Sequence, residues 1–219
     1  MADAPRPTAA DVDADRWRAP VAARRDTRVM DVRFRPLRRH DFASMAAWMA
    51  APHVAEFWRE DPSPAAVAAA YGPVADGDDP TEGFVVELDG RPVGYVQRYL
   101  VADSPAWAAT VGDAGAAGID YLLGEPELTG VGLGPVVVDL FTTLTLARYP
   151  GADSVTVAVQ QANRRSWRAL EKAGFERVFA GTLDSGDPSD EGPSYVYVRR
   201  RTPGLRPPRD GPPDRAGSR

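Results

Sequence analysis

The sequence predicts a mixed α/β domain built on one central sheet. Segments of strand period and of helix period interleave in the order β-α-α-β-β-β-α-β-α-β-β between residues 31 and 200. An Asp89-Gly90 turn between two apolar runs marks a hairpin. A glycine-rich turn, Gly130-Val131-Gly132-Leu133-Gly134-Pro135, leads out of a strand region into a helix. A chain of 219 residues fits one such domain with tails.

The elements follow in order. Asp31–Pro36 alternates and stops at a proline, the mark of a strand. Asp41–Ala51 carries Phe42, Met45, Ala46 and Met49 at helical spacing, with Asp41 as N-cap. Ser63–Tyr71 opens on Ser-Pro, an N-cap and N1 pair, and is alanine-rich, so it is a helix. Phe84–Leu88 and Pro92–Leu100 form the hairpin, and Ala117–Leu123 is a further strand. Gly134–Tyr149 places Val137, Leu140, Phe141 and Leu144 on one helical face, with Pro135 at N1. Ser154–Val159 is a strand and Arg164–Ala173 a helix ended by Gly174. Arg177–Leu183 and Ser194–Arg199 complete the sheet.

Residues 1–29, rich in Ala, Asp, Arg and Pro, read as a disordered tail in which Trp17 is the one residue suited to docking. The domain then spans 30–201. Residues 202–219 hold five Pro and three Gly and read as a second disordered tail. The whole chain carries a net charge of −5. The two tails are net positive, so the segment 31–201 alone carries −8. An acidic domain is not expected to bind nucleic acid and suits a small cationic partner. The absence of Cys excludes disulfides, thiolate nucleophiles and Cys-ligated metals, and two His leave little for a metal site, so no metal is expected. No apolar run reaches the length of a membrane span, and the N-terminus lacks a signal-like core. A cytoplasmic protein, monomer or homodimer, is expected. One Lys against 25 Arg reflects a compositional bias of the source.

The glycine turn has a chemistry of its own. Glycines let the backbone approach a ligand, and a helix N-terminus offers free N–H groups and a positive dipole end. Together they suit a pyrophosphate. The absence of Gly-Lys-Ser/Thr excludes a P-loop, and the GxGxG spacing in mid-chain disfavours a dinucleotide fold.

About thirty residues on stands Asn163-Arg-Arg-Ser166-Trp167-Arg168-Ala169-Leu170-Glu171-Lys172-Ala173-Gly174-Phe175. Glycine turn, helix, strand and then this motif resemble the GNAT acyl-CoA-dependent N-acyltransferase superfamily. His53-Val-Ala-Glu56-Phe57-Trp58, the Tyr71-Gly-Pro segment, Gly94-Tyr95-Val96-Gln97-Arg98-Tyr99 and Gly118-Ile119-Asp120 are similar to the aminoglycoside 6′-N-acetyltransferases. The resemblance implies a mostly antiparallel sheet flanked by helices and acetyl-CoA as cosubstrate. It implies CoA contacts from Val131, Gly132, Leu133, Gly134, Asn163 and Ser166, with Arg168 among the helix cations that meet its phosphates. The strand at Leu122 and Leu123 would lie along the pantetheine arm and lend a backbone N–H to the thioester oxygen. Asp120 would recognise the amine and remove its proton. Trp58, Tyr71, Gln97, Tyr99 and Trp107 would line the acceptor site, with Val101–Asp113 as a flexible loop over it. Acidic clusters at Glu56/Glu60/Asp61, Asp76/Asp78/Asp79/Glu82, Glu125/Glu127 and Asp184/Asp187/Asp190/Glu191 would surround a cationic acceptor.

Departures from the family pattern open alternatives. Thr129 and Val131 replace residues that usually help hold phosphates. Leu170 stands where many relatives carry a Tyr that protonates the leaving thiolate, and a water held by Ser166 is one substitute. Ala158 stands where close relatives have an acid. The expected activity is acetyl transfer in a ternary complex to a primary amine of an aminoglycoside-like acceptor, a chemistry tied to antibiotic resistance. Acyl transfer to siderophore lysine or hydroxylysine or to peptide amines, or an impaired CoA-binding sensor, are the other readings.

Overall fold

A computed structural model describes residues 18–22, 29–185 and 187–202. The docking expected of Trp17 and nearly all of the C-terminal tail lie outside these residues. Among the described residues eight strands form one sheet: β1 (Arg18–Ala22), β2 (Val29–Pro36), β3 (Glu82–Leu88), β4 (Arg91–Leu100), β5 (Ala117–Leu123), β6 (Ser154–Gln160), β7 (Glu176–Thr182) and β8 (Pro193–Arg200). Their order is β1-β2-β3-β4-β5-β6-β8-β7, antiparallel except between β5 and β6. Strand β1 falls within the segment expected to be disordered and pairs with β2.

Six α-helices among the described residues flank the sheet: α1 (Phe42–Ala50), α2 (Pro52–Trp58), α3 (Pro64–Asp76), α4 (Pro105–Val111), α5 (Leu133–Arg148) and α6 (Arg164–Lys172). Two cores result. Leu37, Met45, Met49, Val67, Val85, Tyr95 and Leu122 fill the layer under α1–α3. Phe34, Val96, Ile119, Leu133, Phe141, Val157 and Leu170 fill the layer under α5 and α6. The alternation of strand side chains sorts these residues between the two layers.

Local chemistry explains most boundaries. Asp89 and Gly90 have φ of 52° and 79°, the two positive values a type I′ hairpin turn needs. The Ser63 hydroxyl accepts from Ala66 N at 3.3 Å, capping α3, and α3 runs on past Tyr71 to Asp76. Asp41 does not cap α1. Its carboxylate is taken by the Arg35 guanidinium in two bonds of 2.7 Å and by Arg38 N at 2.9 Å. The expected loop at Val101–Asp113 is instead a short 3-10 turn followed by α4, with Ser104 Oγ accepting from Trp107 N. Ser104-Pro105 repeats the Ser63-Pro64 start signal, and Gly112 closes the helix with a left-handed φ of 71°. Helix α2 has Pro52 at N1 and was not expected; seven residues are too few to show a helical period.

Candidate active site at the open edge of β5

Strands β5 and β6 pair only at Ala117–Val155 and Gly118–Thr156. Beyond Gly118 the sheet is open between them, while β5 remains paired with β4 up to Leu123. The backbone of β5 therefore has one satisfied side and one free side. Gly124 N donates to Val93 O at 2.9 Å, so by the two-residue period Leu122 and Asp120 also turn their peptide groups toward β4. The N–H groups of Tyr121 and Leu123 face the gap, and the Leu123 carbonyl on that side accepts from His53 Nε2 at 2.9 Å. Of the two expected backbone donors, Leu123 is placed for the role and Leu122 is not. The Leu122 side chain is core.

Asp120 lies at this edge, partly buried, with its side chain on the α1–α3 face. Gln97, its cross-strand partner, donates from Nε2 to Asp120 Oδ2 at 2.8 Å. Tyr95 Oη donates to Gln97 Oε1 at 2.8 Å. The Tyr95 ring is fully buried and meets Tyr71 at 5.4 Å and Trp58 at 6.5 Å, both edge-on. Trp58 Nε1 donates to Tyr71 Oη at 3.2 Å, and Tyr71 donates to Glu60 Oε2 at 2.9 Å. A polar and aromatic wall thus runs from Asp120 to Glu60. Burial pushes the phenols of Tyr95 and Tyr71 well up, so both remain donors. Desolvation against this wall also raises the Glu60 carboxyl.

The other expected wall residues are less alike. Tyr99 packs on Gly118: a Cβ there would stand 2.3 Å from the ring. Trp107 is on α4 with its Nε1 buried and unpartnered, and no hydrogen bond or ring contact joins it to the Asp120 wall among the described residues. Several acids of the expected clusters serve local structure. Asp61 accepts from Ser63 N, Asp79 from Thr81 N and Asp187 from Ser189 N, while Asp76 pairs with Arg39. Tyr95 is not among the expected wall residues, although Tyr95, Gln97 and Tyr99 share one face by simple alternation.

The glycine turn follows β5 after a short 3-10 turn and opens α5. Helix α5 begins at Leu133, one residue earlier than expected, so Gly132 is the N-cap and Pro135 sits at N3. Proline is tolerated there because the first four N–H groups of a helix have no intrahelical acceptor. Gly130 and Gly132 have φ of 78° and 95°, and no atom lies within 4 Å of where their Cβ would be. Leu133 is fully buried and anchors the turn, whereas Val131 is exposed. A Cβ on Gly134 would lie 3.6 Å from Ala169 Cβ, which brings the turn close to α6.

At the start of α6, Asn163 Oδ1 accepts from Ser166 N at 3.2 Å, an N-cap. Ser166 Oγ is 2.7 Å from Tyr121 Oη, so the hydroxyl expected to hold a water holds a phenol instead. Arg164, Arg165 and Arg168 are exposed, with the Arg168 guanidinium 5.4 Å over the Trp167 ring. Open glycine positions, free helix N–H groups and a cationic helix face fit a phosphorylated ligand by the donor set they present.

Residues 38–183 match the family model described as acetyltransferase (GNAT) domain. The chain belongs to the GNAT acetyltransferase family. This acetyltransferase is 32% identical over 174 residues to the aminoglycoside N(6′)-acetyltransferases type 1 of Klebsiella pneumoniae and Serratia marcescens. The alignment covers 78% of this chain and 83% of each relative. The crystal structure of aminoglycoside acetyltransferase AAC(6′)-Ib in complex with coenzyme A and kanamycin superposes with a TM-score of 0.68 at 30% identity, covering 78% of this chain and 95% of that one. A kanamycin resistance protein of Rhizobium radiobacter is 33% identical over 104 residues, 48% of this chain and 90% of that protein. The expected recognition, mixed sheet and acetyl-CoA-dependent N-acetyltransferase class are borne out. In this GNAT acetyltransferase Leu170 is fully buried among core residues and presents no polar atom.

Proposed function

We propose that the enzyme transfers the acetyl group of acetyl-CoA to a primary amine of an aminoglycoside-like acceptor, with Asp120 as the group that receives the amine. The observation that carries this reading is the Asp120 carboxylate, fixed by Gln97 at the unpaired edge of β5. Acetyl-CoA supplies an activated acyl group as its thioester. Gly132, Leu133, Gly134 and Val131 hold its phosphates at the turn, helped by Arg168 and the start of α6 at Asn163. The N–H groups of Tyr121 and Leu123 serve the thioester oxygen as it gains charge.

An ammonium must lose a proton before its nitrogen can attack. Asp120 attracts the ammonium and takes that proton. Trp58 and Tyr99 offer ring faces; Tyr71, expected in the same role, is core and instead supports Trp58 from behind, and Glu60 offers a second carboxylate along the same wall. An acceptor with several amines spaced on rings satisfies both acids. The −8 charge of residues 31–201 favours its approach. An acceptor with one amine and no second cation leaves Glu60 unused, which argues against peptide or siderophore amines. The fixed carboxylate argues against a non-catalytic sensor. The enzyme is proposed to act in the cytoplasm as a monomer or homodimer. Among the described residues no helix is long and apolar enough to cross a membrane.

The test is CoA-thiol release from acetyl-CoA in the presence of kanamycin, paromomycin, spermidine, lysine derivatives and peptides. Turnover highest on the aminoglycosides is expected. Tight acetyl-CoA binding without turnover on any of the amines overturns the proposal.

A further inference from the structure

We propose that Tyr121 is a further catalytic residue, whose hydroxyl donates a hydrogen bond to the thioester sulfur as the carbon–sulfur bond breaks. The inference rests on the acyl-transfer reading above. It concerns the part of the reaction that Asp120 does not serve.

In the transfer, a bond forms between the amine nitrogen and the acyl carbon. The electron pair of the carbon–sulfur bond goes to sulfur; of the two protons an ammonium gives up on becoming an amide, the first goes to Asp120 and on to water before attack, and the second leaves nitrogen by the same route once the new bond has formed. Sulfur leaves as a thiolate and is protonated in solvent. A thiolate formed out of water needs a donor nearby. Leu170 is apolar and fully buried and cannot be that donor.

Tyr121 is placed for the task by the geometry of β5. It follows Asp120 directly, so the two side chains lie on opposite faces of one strand. Both come after Gly118, the last β5 residue paired with β6, and so both flank the opened edge. On the face away from Asp120, the Tyr121 ring packs against the core that contains Leu133 and Leu170. Its hydroxyl crosses to the first turn of α6, 2.7 Å from Ser166 Oγ and 3.4 Å from the Ser166 carbonyl. That turn is capped by Asn163, and one turn further along α6 Ala169 comes close to Gly134 of the glycine turn. The phenol therefore lies between the strand that receives the amine and the helix that meets the phosphates. A cosubstrate arm that runs from the glycine turn to the opened edge of β5 would pass between the same two elements.

Ser166 makes the phenol an adaptable donor. Either hydroxyl can donate to the other. When the Tyr121 proton turns to sulfur, the Ser166 O–H donates into the phenol oxygen and strengthens its donation. Burial, against a smaller opposing effect of Ser166, raises the Tyr121 phenol above its ordinary value of 10.0, so it keeps its proton at neutral pH. Two other phenols near α6 have partners of their own. Tyr197 donates to Glu171 at 2.9 Å, and the Arg177 guanidinium lies 4.6 Å over Tyr195.

The test uses Tyr121→Phe, which removes one oxygen and keeps the ring, and Ser166→Ala, which keeps the phenol and removes its partner. The first readout needs no acceptor and no turnover: the ultraviolet absorbance of the thiolate of bound CoA, titrated against pH. The bound thiol is expected to titrate about one pH unit higher in Tyr121→Phe than in the unmodified enzyme, with Ser166→Ala between them. The second readout is kinetic. Tyr121→Phe lowers kcat about 100-fold with the KM for acetyl-CoA changed less than about threefold. Equal thiol titration in all three proteins, or a loss confined to acetyl-CoA affinity and thermal stability, makes Tyr121 a structural tie between β5 and α6 and overturns the proposal. Because the titration uses CoA alone, it reads out Tyr121 even if aminoglycosides prove not to be the acceptors.

Discussion

Gln97 holds Asp120 from across the sheet: its Nε2 donates to the Asp120 carboxylate at 2.8 Å, while its Oε1 accepts from Tyr95 at 2.8 Å. The amide is fixed at both ends, so only its donor end can face the carboxylate. Gln97→Leu is expected to lower kcat/KM for an aminoglycoside about tenfold, because the carboxylate loses its orienting bond. Tyr95→Phe frees the amide to turn and is expected to cost about threefold. Steady-state kinetics beside thermal unfolding curves separates this from a loss of fold.

The glycine turn makes a second prediction. Gly132 has a φ of 95° and open space where a Cβ would go, so the conformation, and not crowding, demands glycine. Gly132→Ala is expected to strain the backbone by about 1–2 kcal/mol. Part of that strain will be relieved by rotating the N–H groups away from the phosphates. Calorimetry is expected to show CoA binding about tenfold weaker, with acceptor KM unchanged.

Glu60 is expected to act on the acceptor alone. Its carboxylate stands at the far end of the Trp58–Tyr71 wall and accepts from Tyr71 at 2.9 Å. Glu60→Gln keeps a hydrogen-bond acceptor and removes the charge. The KM for a polyamine aminoglycoside is expected to rise about fivefold to tenfold, with kcat and the KM for acetyl-CoA little changed. An unaltered acceptor KM would remove Glu60 from the site.

The fold was legible in the sequence wherever local chemistry governs it. The Asp89-Gly90 turn, the Ser63-Pro64 cap and the alternation of Ala117–Leu123 are visible to anyone reading residue by residue. The glycine turn is marked by its own residues, whereas Asp120 is singled out only by the motif resemblance. What escaped depends on tertiary contacts. Asp41 looks like an N-cap until Arg35 is brought beside it from β2. Arg98 is buried against Phe84 and paired with Glu82, a placement that no local pattern in the sequence announces. Tyr121 has no local signal at all, because its partner Ser166 lies 45 residues away. Which backbone groups of β5 are free is likewise decided by where β6 departs, a property of two strands and not of one.

The Asp41–Arg35 pair gives a pH-dependent prediction. Burial alone would raise the Asp41 carboxyl, but the Arg35 bonds and the Arg38 N–H outweigh it and hold the group below its ordinary value of 3.8. A depressed carboxyl contributes stability above the unfolded value, and that contribution is lost as pH falls through the folded one. Asp41→Asn is expected to destabilise the protein by about 2–3 kcal/mol at neutral pH, less than a fully buried pair because Arg35 is partly exposed. Denaturant titrations are expected to show the difference shrinking below about pH 4.

The most direct test of the account is the turnover of Asp120→Asn with acetyl-CoA and kanamycin. Asparagine keeps the shape and an acceptor for Gln97 but cannot take a proton or offer a charge. kcat/KM is expected to fall at least about 100-fold while calorimetric affinity for CoA stays the same. Turnover near that of the unmodified enzyme, with the fold intact, would contradict it.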